Sequence, residues 1–163
     1  MRKVVVNSTP LIALGRVGQI ELLRRLYSEI MIPEAVFREV TEKDDAVKQA
    51  VMQNLAWIKV SHVSEKADKR MYQAKLHDGE VEVMILAQEI TADLVILDDR
   101  AARKTAEYLG LPLTGTLGIL LKSKEKGFLS RVMTVVEDME RTGIYYSDAL
   151  KEMIREIAGE TTQ

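Results

Sequence analysis

Cysteine is absent from this chain, which removes disulfides, thiol nucleophiles and thiolate metal sites together. Any metal must therefore bind oxygen or histidine, and only two histidines are present. Neither His62 nor His77 has a second histidine at ligand spacing, so zinc is not expected. Proline and glycine are scarce, at three and nine of 163 residues, which sets aside collagen-like and low-complexity classes. No apolar run approaches the roughly 18 residues of a membrane span. The opening Met1-Arg2-Lys3-Val4-Val5-Val6 reaches polar Asn7 too soon for a secretory signal, so a cytoplasmic protein is expected. An excess of positive charge is lacking too. A formal net charge of −2 argues against a wholesale basic surface gripping duplex DNA, and leaves nucleic acid to a local patch.

What is present is a folding composition, 47% hydrophobic and 29% charged, on a chain long enough for one core and too short for two ordinary domains. A single domain over 1–163 is expected, with disorder confined to Gly159 to Gln163. Short β-branched runs at Lys3–Val6, Glu29–Ile32, Trp57–Val60, Leu94–Leu97 and Leu111–Leu113 read as strands, several apolar enough to be buried on both faces. Helical stretches lie between them: Pro10–Leu14 with Gln19–Leu26, Pro33–Val40, Asp45–Leu55, Glu65–Ala74, Gly79–Ile90 and Ala101–Leu109. The end of the chain is wholly helical, at Leu117–Lys124, Leu129–Arg141 and Asp148–Ile157. This alternation predicts an α/β fold with a parallel sheet covered on both faces. Sites in such sheets form beyond the carboxyl ends of the strands.

Two strand ends turn polar at once. In Leu97-Asp98-Asp99-Arg100 one Asp is explained as the N-cap of the next helix, but two adjacent carboxylates repel unless a cation is near. In Asn7-Ser8-Thr9-Pro10, Ser8 or Thr9 is expected to cap a helix whose first turn holds Pro10. Asn7 is left over, and its amide oxygen could take a metal or orient a water. Glu80 opens a helix and shares its face with Val83, Met84 and Ala87, which carries its carboxylate to the end of a core-facing stripe. Glu82 shares its face with Glu89. Glu39 lies one turn from Ala35 and Val36, while Glu34 and Glu42 read as solvated. The loop Thr114-Gly115-Thr116-Leu117-Gly118 could bind phosphate at a helix N-terminus, although tight left-handed turns account for its glycines. Arg100, Arg103 and Lys104, and again Lys122, Lys124 and Lys126, are basic clusters placed to contact phosphates. Met84, Met133, Met139 and Met153 read as core filler. Ser147-Asp148 caps a last helix whose Leu150, Met153, Ile154 and Ile157 form an apolar stripe.

The segments Val5 to Ile12, Ile32 to Val40, Asp78 to Glu82, Leu97 to Arg103 and Gly115 to Gly118, in this order, resemble the PIN-domain superfamily. The resemblance is nearest to a prokaryotic branch of nucleic-acid-binding proteins related to VapC-type toxins, and runs from the first strand to about Arg131. It implies a three-layer αβα sandwich with strand order 3-2-1-4-5 and acids converging at one end on Mg²⁺ or Mn²⁺. The family's first-strand acid falls on Asn7, the hydroxyl residue two positions on falls on Thr9, and the remaining acids fall on Glu39, Glu80 and Asp99, with Asp98 adjacent. A last acidic position of some members has no equivalent here, where Thr116 and its loop stand.

The departure at Asn7 removes one negative charge and should weaken the hold on a metal. Two readings stay open. One is a divalent-metal-dependent endoribonuclease, with RNA contacted by Thr9, Arg100, Arg103, Lys104 and Thr116. The resemblance extends this to a homodimer and to the toxin of a toxin–antitoxin pair. The other is a degenerate PIN-like domain that binds RNA or a protein partner without catalysis. A third class, a receiver-like phosphoacceptor at Asp98 or Asp99, lacks the expected acid pair after the first strand.

Overall fold

The computed structural model of the protein describes residues 2–64 and 76–160. The helix expected over Glu65–Ala74 lies outside the described residues. Five strands, β1 (Val4–Val6), β2 (Ile30–Pro33), β3 (Ile58–Ser61), β4 (Leu94–Ile96) and β5 (Leu113–Thr114), form one sheet in the order β3-β2-β1-β4-β5. All neighbouring pairs are parallel. Every side chain of β1 and β4 is buried. Successive side chains of a strand point to opposite faces, so both faces are covered at the centre of the sheet. This is the expected α/β sandwich and strand order.

Among the described residues the helices are α1 (Ser8–Arg16), α2 (Glu21–Tyr27), α3 (Glu34–Lys43), α4 (Asp45–Met52), α5 (Asp78–Glu89), α6 (Arg100–Tyr108), α7 (Thr116–Glu125), α8 (Val132–Arg141) and α9 (Asp148–Ala158). The helix α5 packs against α3, β1 and β2, and every residue from Gly79 to Ala87 is buried. It therefore carries apolar side chains all round rather than on one stripe. The helix α9 lies on α7 and α8.

Several boundaries differ from the sequence reading for identifiable reasons. The first helix begins at Ser8 with Asn7 in the capping position, because the Ser8 hydroxyl donates to Glu39 Oε2 at 3.0 Å instead of capping the helix. The last strand is Leu113–Thr114 rather than Leu111–Leu113. Leu111 N–H is spent on Ala106 O at the end of α6, and Pro112 has no N–H to give. Pro112 still accepts from Val95 N–H at 2.8 Å. The helix expected from Leu129 starts at Val132, where Glu160 accepts from the N–H groups of Val132 and Met133 at 2.7 and 2.9 Å. Glu160 was expected to fall in a frayed end, yet its side chain is only 5% exposed. Met84, Met133 and Met139 are buried as expected, whereas Met153 is 56% exposed. Of the apolar stripe on α9, Ile154 is buried, and Met153 and Ile157 face outward.

Candidate metal centre at the strand ends

The carboxyl ends of β1 and β4 are adjacent in the sheet, with Val6 beside Ile96 and Asn7 N–H donating to Ile96 O at 2.9 Å. Asn7 and Asp98-Asp99 therefore leave the same edge side by side. Asn7 is buried, and its side chain makes no capping hydrogen bond to α1. Next to it, Ser8 reaches Glu39 on α3, whose other oxygen accepts from Lys43 Nζ at 3.0 Å. The start of α5 closes against this pair. A Cβ on Gly79 would stand 3.2 Å from Glu39 Oε2 and 3.7 Å from Ser8 Oγ, so the absent side chain lets the helix and the acid approach.

Glu80 follows at once and is buried. One oxygen accepts from His77 N–H at 3.0 Å, which caps α5. Burial pushes the Glu80 carboxyl above its ordinary value. The His77 N–H opposes that shift, and the negative charges of Asp99 and Glu39 add to it. Three carboxylates from three elements thus share one field, and burial and mutual repulsion destabilise the ionised form of the most enclosed one.

The two adjacent aspartates do different work. Asp99 is exposed and caps α6 through Oδ2, which accepts from Ala102 N–H at 2.9 Å. Asp98 turns to the other side, where Oδ1 accepts from Thr116 N–H at 2.8 Å and Oδ2 from the Thr116 hydroxyl at 2.6 Å. Thr116 is fully buried. Asp98 therefore anchors the N-terminus of α7, and its charge favours that end of the helix dipole. Gly115 explains how the contact fits. Its φ of −124° is not left-handed, contrary to the expected tight turn, and a Cβ there would fall 2.7 Å from Asp98 Oδ1 and 3.0 Å from Arg103 Nη1.

The expected basic cluster is divided. Arg103 turns inward and donates to Leu97 O at 2.9 Å, while Arg100 and Lys104 line an open depression on α6. Thr9, Asp98, Arg103, Gly115, Tyr145 and Tyr146 line a cavity of about 620 Å³ beside the strand ends. Burial, then the nearby Asp98 charge, pushes the Tyr146 phenol up to about 12, so it stays neutral.

Sequence reasoning missed Glu82. It is buried on α5, and its Oε1 accepts from Ala35 N–H at the start of α3 at 3.1 Å. The available signal was the unbroken apolar run Val83 to Ala87, which marks a helix enclosed on all sides. His62 meets Glu34 at 3.1 Å, away from this cluster on an exposed surface.

In kind the donors suit a hard divalent cation, since carboxylate and amide oxygens are its preferred ligands. Among the described residues, no three acids or histidines already converge as a cage. One oxygen of Glu80 and one of Asp99 are held by backbone N–H groups, and both oxygens of Glu39 are engaged. Each Glu39 oxygen keeps a further lone pair for a cation, and the Lys43 ammonium competes for its charge.

A family model described as a PIN domain matches residues 3–160. The chain belongs to the PIN-domain family. No curated protein matches it. PIN domains are a nuclease fold that acts on nucleic acid and generally depends on divalent metal. Among the described residues, no helix is long and apolar enough to cross a membrane.

Proposed function

We propose that this PIN domain, spanning the whole chain as one unit, is an Mg²⁺- or Mn²⁺-dependent endoribonuclease that hydrolyses RNA phosphodiesters. The observation that carries the reading is the Glu80 carboxyl at the strand ends, next to Glu39 and Asp99, raised chiefly by its burial, with the Asp99 and Glu39 charges adding to the effect. Acids held together at such a cost are candidates for function, because a cation would relieve them. Glu80, Asp99 and Glu39 would hold the metal, with the Asn7 amide oxygen completing the set. When bound, such a cation supplies Lewis acidity that activates water and offsets charge on the phosphoryl group. Asp98 positions the start of α7 through Thr116 and keeps a negative charge behind the site. Thr9 and Arg103 face the cavity beside the acids and orient the substrate, and Arg100 and Lys104 contact phosphates.

Calorimetric titration with Mn²⁺ tests this directly. Binding in the millimolar range or tighter is expected for the wild type and is lost in the Glu80→Ala, Asp99→Ala double variant, together with RNA cleavage. No binding, or unaltered cleavage by the double variant, removes the proposal.

A second reading has one specific observation behind it. Asn7 stands where the family carries an acid, so the site has one charge fewer, and a domain that binds RNA or protein without cutting fits that loss. Asn7→Asp distinguishes the two. A variant that gains metal affinity and acquires cleavage that the wild type lacks identifies the wild type as the degenerate form. The roles of toxin, antitoxin partner and homodimer rest on the resemblance to VapC-type proteins. Co-purification with a small DNA-binding protein encoded beside it is the test of the first two, and sedimentation of the third.

A further inference from the structure

The exposed side of α6 is not used by the acid cluster, although the helix begins at Asp99. Arg100, Lys104 and Tyr108 follow one another at i, i+4 and i+8, which places them in a row along one face. With Ala101 and Thr105 they line an open depression of about 600 Å³ that contains no acid. The one acid of the helix, Glu107, does not line it. Among the described residues neither Arg100 nor Lys104 takes part in an ion pair, as is true of several other surface cations, but these two share one face with an exposed aromatic ring. Tyr108 is 90% exposed, more than any other large hydrophobic residue described. Among the described residues the helix thus holds two cations without an ion-pair partner and a largely exposed aromatic ring, and it begins at Asp99 of the candidate metal centre.

We propose that this face of α6 is a track for single-stranded RNA, on which Arg100 and Lys104 contact phosphates and Tyr108 stacks an unpaired base. The combination is the one that single-strand binding requires: cations that follow the backbone, and an aromatic face that accepts any base. The rise from Arg100 to Tyr108 is about 12 Å, and the row starts beside Asp99, one acid of the cluster. The proposal rests on the nuclease reading for the identity of the nucleic acid. Duplex is disfavoured, because its bases are already stacked and offer Tyr108 no free face.

The test is fluorescence anisotropy of a short labelled single-stranded RNA, measured in EDTA and again in Ca²⁺, with the duplex of the same sequence as control. Tyr108→Ala should weaken single-strand binding about ten-fold and leave duplex binding unchanged, while Tyr108→Trp restores the single-strand affinity. Arg100→Gln with Lys104→Gln should reduce the slope of log affinity against log salt by about 1.4, or about 0.7 for each phosphate that is no longer neutralised. Unchanged single-strand binding by Tyr108→Ala overturns the proposal, as does an equal loss for duplex or no binding by the wild type in either buffer. A loss that follows dissociation of a dimer in sedimentation also overturns it, by assigning the face to contact between copies. The nuclease reading stands or falls separately, on Mn²⁺ titration and the acid variants.

Discussion

Glu80 is the residue at which stability and function part. Its carboxyl is raised by burial, and the Asp99 and Glu39 charges add to the effect, so ionisation is harder in the folded state than in the unfolded chain. A carboxyl raised on folding costs stability above its unfolded value and ceases to cost it as pH falls below that range. Glu80→Gln keeps an oxygen for the His77 N–H and removes the charge. In metal-free protein at neutral pH the variant is expected to melt higher than the wild type, and the gap to close as pH falls toward about 4, as followed by circular dichroism. A lower melting point at neutral pH would show that the charge is compensated in the apo state. Stabilisation on removing a site acid is the usual trade-off at a preorganised centre. Gly115 makes a second demand at this scale. A Cβ in Gly115→Ala must displace Asp98 or Arg103, which should open the Asp98–Thr116 lock and expose Thr116 N–H to faster hydrogen exchange.

Among the elements, α7 and α8 are tied to the end of the chain by one side chain. Glu160 accepts from Lys124 Nζ at 2.8 Å and from two N–H groups at the first turn of α8. Burial alone would raise its carboxyl. The Lys124 ammonium and the Met133 and Val132 N–H groups outweigh burial and hold the carboxyl below its ordinary value. A lowered carboxyl contributes stability above its unfolded value, which is lost as pH falls through the folded one. Glu160→Gln should therefore cost about 1–3 kcal/mol in urea unfolding at neutral pH, since charged hydrogen bonds to the start of α8 are weakened. The loss should shrink below about pH 4. At the other end of the same helical layer, the Ser147 hydroxyl accepts from Leu150 N–H at 3.1 Å and caps α9 as the sequence suggests.

For the whole molecule, a cation bound only by the folded state raises stability by mass action. At about a hundred times the dissociation constant this amounts to about 2.7 kcal/mol, or a rise in Tm of roughly 5–10 °C for a domain of this size. Thermal unfolding with saturating Mn²⁺ should show that rise, EDTA should reverse it, and Glu80→Gln with Asp99→Asn should abolish it. A rise that survives in the double variant would place the metal elsewhere.

The strands and the acid-bearing segments that follow them were legible in the chain itself, because buried parallel strands are nearly continuous runs of Val, Ile and Leu, whereas the strand order followed from the resemblance to PIN domains. The polar residues that end such runs mark the edge where a site can form. The sequence alone also excludes thiolate chemistry, through the absence of cysteine. Boundaries were less legible at Ser8, Leu111 and Val132, where long-range hydrogen bonds or a spent N–H, rather than local propensity, decide where an element begins. The tertiary structure alone decided that Asp98 and Asp99 face opposite ways, that Glu82 is buried and that Arg103 parts from Arg100 and Lys104. Direction and pairing depend on which other element arrives, in these cases the start of α7, the start of α3 and the backbone at Leu97, and no spacing along the chain encodes that arrival.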